Sequence, residues 1–266
     1  MNDHPAIDHG KLARILEECR QARTQTEPFS SSAGLDSLSD AYLIQAEGAR
    51  LRLAAGDRSL GRKIGLTSAA IQEKLGVSEP DYGTLWASRW IPVQDAQATV
   101  AHSRFLQPRV EAEFAFLIGS NLPDTEITAR DVIAATRAVA AAFEIADSRI
   151  ADWRISIHDT VADNASFGAF AVADWDSGLD PASLDSVLVN VIHNGQMAAE
   201  GSGKAALGHP ANAVAWLVNQ LRAAGEQLLP GDIVMSGAVA GMIPAAAGDS
   251  FSLQIAGRNV LSLELS

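Results

Sequence analysis

The chain has 266 residues, 47% hydrophobic and 20% charged, enough apolar material for one large folded unit or two small ones. A formal net charge of -12 at pH 7 excludes nucleic acid and anionic membrane as main partners, because both need a basic face; a small anionic substrate needs only a local cationic or metal site. The single cysteine, Cys19, excludes an intrachain disulfide, and with no secretory signal and no apolar run of transmembrane length the sequence reads as a soluble cytoplasmic protein.

Residues 9–24 place Leu12, Ile15 and Leu16 at helical spacing and predict a helix, with Cys19 near its apolar face as a buried structural thiol. Thr24 to Ser39 is polar and Ser-rich, a loop. Ser37-Leu38-Ser39-Asp40 has the form of a capping box, with Asp where Glu or Gln is usual, and opens a second helix to about Ala55. These two helices form a small N-terminal lobe. At Arg62 to Ser68 the pattern changes to a short strand, with Lys63 and Gly65 on one face and Ile64 and Leu66 on the other. A lysine inside an apolar strand is an edge residue or a functional base, and the residue type alone favours the edge. Ser68 then caps a short helix carrying Ile71 and Leu75. Glu79-Pro80-Asp81-Tyr82-Gly83 is turn-rich, and turn chemistry alone accounts for Asp81.

Pro108 to Ile118 reads as a strand, rich in Val, Phe, Leu and Ile with a proline at its entrance. Glu111 and Glu113 point together and Ala115 and Leu117 continue their face, while Ala112, Phe114 and Phe116 face a core. Two carboxylates side by side on an apolar strand repel each other and are costly to desolvate. A shared proton, a basic partner or a divalent cation relieves this, and oxygen-only donors favour Mg²⁺, Mn²⁺ or Ca²⁺ over zinc. A bare Glu-x-Glu more often marks a sheet face that is simply wet. Thr128 to Asp131 starts an amphipathic helix with a buried stripe of Val132, Ile133, Val139, Ala140 and Phe143; Thr136 lies within it, returning its hydroxyl to the backbone one turn earlier. Phe143 to Asp147 is a strand with acidic residues amid apolar ones, and Glu144 is a third oxygen-ligand candidate. Residues 152–164 form a polar loop of the kind that carries function, although Asp and Asn also simply make turns.

The last third is β-rich. Ser186 to His193 alternates into an Asn194-Gly195 hairpin turn. Pro210 starts a helix running to about Ala224. Gly231-Asp232 turns into a buried strand, and Gly248-Asp249 precedes a final hairpin of Phe251 to Ile255 and Val260 to Leu265. There is no internal repeat, no separating linker, and no metal-ligand spacing among the histidines.

Laid in order, these pieces resemble the 2-hydroxypenta-2,4-dienoate (2-keto-4-pentenoate) hydratase family of the fumarylacetoacetate hydrolase superfamily. The resemblance rests on Lys63-Ile64-Gly65-Leu66-Thr67-Ser68, Glu79-Pro80-Asp81-Tyr82-Gly83, Pro108-Arg109-Val110-Glu111-Ala112-Glu113, Glu144-Ile145-Ala146-Asp147-Ser148-Arg149-Ile150, Asp159-Thr160-Val161-Ala162-Asp163-Asn164-Ala165-Ser166 and Gly208-His209-Pro210. Each is weak alone, but the ordered set spans nearly the whole chain. Ala238-Val239-Ala240-Gly241-Met242 departs from the pattern and bears on the substrate pocket.

The resemblance implies an α+β fold with a mixed, barrel-like β-roll core. Residues 1–60 would form a helical N-terminal region and 61–266 a β-rich, metal-binding catalytic core, as one continuous unit. It implies Mg²⁺ or Mn²⁺ on Glu111, Glu113 and Glu144, and acid/base roles for Lys63 and Asp81, with burial and a nearby cation lowering the lysine pKa. Arg109 and Ser236 are candidates for holding the substrate carboxylate, with a structural role equally open to each. The implied state is a homo-oligomer of five or ten subunits, able to join a sister pathway enzyme.

The implied reaction is hydration of 2-hydroxypenta-2,4-dienoate to 4-hydroxy-2-oxopentanoate in aromatic-compound catabolism, a lyase reaction. Three other readings stand beside it. A 2-oxo-3-hexenedioate (4-oxalocrotonate) decarboxylase would share the metal site but need a further cation for its second carboxylate; Arg149 and Arg154 leave none spare if they pair with Asp147 and Asp152. A non-catalytic partner subunit fits poorly with a complete Glu set beside Lys63 and Asp81. A carbon–carbon hydrolase would need a His-assisted water, and no His here matches that motif.

Overall fold

The computed structural model describes residues 7–68, 72–73, 76–175 and 177–266. In chain order the elements are α1 His9–Ala22, α2 Phe29–Ser32, α3 Leu38–Ala54, β1 Ser59–Gly65, β2 Asp81–Trp86, β3 Val93–Gln94, β4 Gln97–Val100, β5 Arg109–Ile118, α4 Ala129–Ala135, β6 Thr136–Ala146, α5 Ile157–Ala162, β7 Phe167–Val172, β8 Leu188–His193, β9 Gln196–Ser202, α6 Pro210–Ala223, β10 Ile233–Ala238, β11 Ile243–Pro244, β12 Ser250–Ile255 and β13 Arg258–Leu265. The short helix expected after Ser68, with Ile71 and Leu75, falls on positions outside the described residues.

A seven-stranded sheet runs β2-β1-β10-β5-β6-β7, with β11 pairing β5 where β10 has left it. A six-stranded sheet runs β3-β4-β13-β12-β8-β9. Both are mixed: β1 and β10 are parallel, as are β4 and β13, and the other pairs are antiparallel. This is the expected α+β β-roll with helices at its N-terminal side.

Register partners share a face of the sheet. One face of the larger sheet carries Ile64, Val110, Phe114, Phe116, Phe143 and Val234, which merge with Phe251, Leu253 and Leu263 of the second sheet and Leu217 and Leu221 of α6. The opposite face carries Ala115, Ala140, Ala142, Phe170 and Met235. Met235 pairs Lys63 and Ala142 pairs Glu113, so the polar candidates lie on this second face too.

Burial on both faces explains the one large departure from the sequence reading. The helix starting at Thr128 ends at Ala135, and the predicted stripe residues Val139, Ala140 and Phe143 lie in β6. A run such as Ala138 to Ala142 reads as helical by propensity, but small residues also suit a strand buried between β5 and β7. Thr136 marks the change: its hydroxyl donates to the Val132 carbonyl at 2.7 Å, one turn back, and ends the helix there.

The hairpin at Asn194-Gly195, the helix at Pro210 and the final hairpin form as expected. The helices α1 and α3 match their predicted spans closely, and Cys19 is buried. The capping box at Ser37 is only half formed: Ser37 accepts from the Asp40 amide, but the Asp40 carboxylate takes His9 Nε2 at 2.7 Å instead. Helices α1 and α3, with Phe29 of α2, bury Leu12, Leu16 and Ile44 against Ile150, Val161 and Ala162. Among the described residues no helix is long and apolar enough to cross a membrane.

Candidate active site

The site begins with cross-strand pairing. Glu111 on β5 lies directly opposite Glu144 on β6, and Glu113 follows on the same face. Carboxylate oxygens of all three lie within 4.8 Å of one another. Glu113 and Glu144 are buried, and Glu111 is partly exposed at the edge of a cavity of about 370 Å³. Burial is the main cause raising all three carboxyl pKa values; neighbouring glutamates add to it at Glu113 and Glu144 and Asp81 adds to it at Glu111, while Lys63 opposes it. Glu144 is pushed up to about 7 and Glu113 stands well above the usual carboxylate range.

Glu113 Oε2 accepts from the Gly237 amide at 2.8 Å, but its Oε1 and both Glu144 oxygens lack any hydrogen-bond partner. Unsatisfied buried carboxylate oxygens are costly. Three converging carboxylates with oxygens that take no hydrogen bond therefore fit a hard divalent cation, and the wet-face reading of Glu111 and Glu113 does not fit.

Lys63 is not at an edge. Its strand lies between β2 and β10, and the side chain is 4% exposed. Nζ stands 3.3 Å from Glu144 Oε1 and donates to the Ala165 carbonyl at 3.0 Å. Burial lowers the ammonium pKa, but Glu144, Asp81, Glu111 and Glu113 together outweigh it, so without a metal the net shift is upward. Asp81 is the first residue of β2 rather than a turn residue, and is paired with Gly65. It is buried, and Oδ1 has no hydrogen-bond partner. Burial raises its pKa, against the pull of Lys63 and hydrogen bonds from Gly65 and Thr160. Gly65 makes this juxtaposition possible: a Cβ there would overlap Asp81 Oδ1 and stand 3.2 Å from Lys63 Nζ.

The polar loop at 152–164 contains helix α5, capped by Ser156 and Asp159 in a reciprocal box, and its contacts buttress the site. Asp159 also accepts from the amide and hydroxyl of Ser30. Asn164 clamps Thr84 of β2 through both its amide atoms, at 2.8 and 3.0 Å. Residues Asn164, Ala165 and Ser166 all adopt positive φ, near 50°, which is unusual for non-glycine residues and brings the Ala165 carbonyl to Lys63. The sequence marked this segment as a motif, but a backbone carbonyl leaves no side-chain signature.

Arg149 pairs with Asp163 rather than with the Asp147 carboxylate, and Arg154 meets Glu27 at 2.9 Å and, more distantly, Asp152. Neither supplies a spare cation at the site. Arg109 starts β5 on the Glu111 face, with its guanidinium 4.3 Å from the Trp153 ring and near Met242 at the cavity. Ser236 is fully buried, its hydroxyl without a partner, and it does not line the cavity.

Comparison with known proteins follows the same lines. Residues 71–263 match the family described as fumarylacetoacetate (FAA) hydrolase C-terminal. The 2-hydroxyhexa-2,4-dienoate hydratase of Comamonas testosteroni is 43% identical, over 95% of each chain. The 2-keto-4-pentenoate hydratase of Paraburkholderia phymatum is 38% identical, over 97% of this chain and 96% of its own. Among solved structures, 4-oxalocrotonate decarboxylase from Pseudomonas putida G7, complexed with magnesium and adipate, superposes with a TM-score of 0.91 at 30% identity, covering 99% of this chain and all of that one. A complete carboxylate cluster on a β-roll, with relatives at this identity along nearly the whole chain, places the protein in the 2-keto-4-pentenoate hydratase family of the fumarylacetoacetate hydrolase superfamily.

Proposed function

We propose that the protein is a metal-dependent hydro-lyase that converts 2-hydroxypenta-2,4-dienoate to 4-hydroxy-2-oxopentanoate. The observation that carries this reading is the convergence of the Glu111, Glu113 and Glu144 carboxylates, with Glu113 Oε1 and both Glu144 oxygens lacking a hydrogen bond, flanked by buried Lys63 and Asp81. The hydratase names of relatives 38–43% identical support it.

Glu111, Glu113 and Glu144 would hold Mg²⁺ or Mn²⁺, which when bound supplies Lewis acidity to the carboxylate and 2-oxygen of a 2-oxo acid. The reaction moves the 2-hydroxyl proton to C5, leaving a 2-oxo group, and then adds the hydroxyl of water at C4 and a proton at C3, for a net gain of one water. Lys63, buried with Nζ 3.3 Å from Glu144 Oε1 and donating to the Ala165 carbonyl, is the donor to carbon. Asp81, with a free buried oxygen, takes the proton of the attacking water and returns it through Lys63. Arg109 orients the substrate carboxylate at the cavity edge, a role for which Ser236 is the less well placed of the two candidates. We propose that the working form is a homo-oligomer, as the resemblance implies.

Stripping the protein with a chelator should abolish loss of the dienol ultraviolet absorbance, and Mg²⁺ or Mn²⁺ should restore it. Full activity in stripped protein overturns the metal assignment. Supplying 2-oxohex-3-enedioate tests the decarboxylase reading: rapid stoichiometric CO₂ release, with no hydration of the monoacid, would replace the hydratase.

A further inference from the structure

A second cluster of charge lies between α1 and α3, and it is cationic in a chain whose net charge is -12. Glu17 and Arg20 share one face of α1, and Gly48 and Arg52 share one face of α3, each pair at helical spacing. The two faces meet over Trp86 of β2 and over Arg149 and Asp163. They do not close on each other, because Gly48 has no side chain and a Cβ there would meet nothing within 4 Å. The gap is a cavity of about 40 Å³, room for roughly three waters.

The charges around it do not balance. Three guanidiniums, Arg20, Arg52 and Arg149, line the cavity with two carboxylates, Glu17 and Asp163. Arg149 is satisfied by Asp163 and by the carbonyls of Asp147, Asp163 and Phe167. Arg20 hydrogen-bonds Glu17 through Nε and Nη2. Arg52 has only a share of that same carboxylate, with Nε 3.5 Å from Glu17 Oε2. Yet Arg52 is 9% exposed, and its Nη1 has no hydrogen-bond partner among the described residues. Its guanidinium stands 5.3 Å from the centre of the Trp86 ring, which supports the cation without accepting an in-plane hydrogen bond. Burial, with the repulsion of Arg20, Arg149 and Arg89, lowers the Arg52 pKa to about 9 against the pull of Glu17. A buried cationic donor without an acceptor costs more than a neutral one. Water would satisfy the N–H and leave the charge; an anion satisfies both.

We propose that this cavity is a binding site for a small oxyanion of the phosphate class, held by Arg52 and Arg20 and separate from the carboxylate cluster. The volume admits one such ion and excludes a nucleotide or a whole dienoate. The site stands whatever reaction the glutamates perform. Trp86 ends the strand that begins at Asp81, and Asp163 lies two residues before the carbonyl that takes Lys63. A bound ion therefore braces the helical N-terminal side against the segments that carry both catalytic candidates.

The test titrates inorganic phosphate calorimetrically into the Mg²⁺-loaded full chain, with ionic strength matched by chloride, and again with the metal chelated. A single ion per chain should bind with affinities within twofold of each other, which separates this site from phosphate on the metal. Arg52→Met should weaken binding about tenfold or more, the loss of a charge-assisted hydrogen bond. Because that variant also disturbs Glu17, Gly48→Val is the second: it keeps every arginine, fills the gap and replaces a poor helix former. It should abolish binding while the urea midpoint without phosphate is kept or raised. In the wild type alone, phosphate should slow hydrogen exchange in peptides covering residues 45–52 and 162–166. Absence of saturable binding, equal binding by wild type and Gly48→Val, or loss of binding on chelation overturns the proposal. Binding that appears only when the assembly is diluted into monomers would mean that a carboxylate of a second copy fills the cavity, and overturns the free-ion assignment.

Discussion

At the scale of the residue, Lys63 shows why side-chain identity needs its surroundings. Its charge is held by Glu144 and the Ala165 carbonyl in a buried setting, where a proton donor can be aimed. Lys63→Met, which keeps volume, should lower kcat by about 10²–10⁴-fold at saturating Mg²⁺, with the circular dichroism spectrum unchanged; a rate near wild type would return the residue to a structural role. The carboxylates make a separate prediction about pH. Their folded pKa values lie above the ordinary 4.5, with Glu144 at about 7, so in chelator-treated protein the folded state binds more protons than the unfolded between those values. Stability from this source is complete below about pH 4.5 and is lost as pH rises through about 7, by up to about 1.4 kcal/mol per pH unit for each group still titrating. Urea midpoints of stripped protein should therefore fall from pH 5 to pH 7.5. Mg²⁺ should reverse that trend, since it binds only the deprotonated set. A stripped protein insensitive to pH in this window would mean that the carboxylates are not buried as described.

At the scale of the element, the legible features were those with a local cause. Period-two alternation placed Glu111 and Glu113 on one face, and Asn194-Gly195 fixed its hairpin. What could not be read was decided by sheet neighbours far away in the chain. An alanine-rich β6 becomes a strand because β5 and β7 enclose it, and Lys63 is central rather than at an edge because β10, some 170 residues later, pairs beside it. The residues themselves offered the Glu111–Glu113 pair, Glu144 as a third oxygen ligand and Lys63 as edge residue or base; their joining with Asp81 into one site came through family resemblance. The β1–β2 pairing carries its own prediction. Gly65→Ala would force its new methyl onto Asp81 Oδ1. Overpacking of this kind costs roughly 1–3 kcal/mol, and moving Asp81 should cut kcat at least tenfold while the strands persist. Wild-type turnover by Gly65→Ala would show that the Lys63–Asp81 spacing is unimportant.

At the scale of the whole molecule, the segment from Asp147 to Ser166 joins the helical N-terminal side to the sheet. Arg149 is its centre: buried, it pairs with Asp163 and donates to the Phe167 carbonyl at 2.9 Å, while burial pushes the Asp163 pKa up to about 6. Removing one member of a buried pair strands the other, at a cost of about 3–5 kcal/mol. Arg149→Met should therefore lower the urea midpoint sharply, and Arg149→Met combined with Asp163→Leu should recover most of the loss. No recovery in the double variant would indicate that Arg149 acts chiefly through its carbonyl contacts. The arch that residues 239–242 form between β10 and β11, beside Glu111, has the opposite character. Its residues extend no strand beyond the Val239 amide bonded to the Ala112 carbonyl of β5, and β10 and β11 keep their register on β5 at either end. Side-chain composition there can therefore change while the backbone bond of Val239 to β5 is kept. The arch is thus an exchangeable cassette: diversity introduced only at these four positions should redistribute substrate preference while leaving proton-transfer chemistry and expression yield intact, so that new activities can be sought there without rebuilding the enzyme around them.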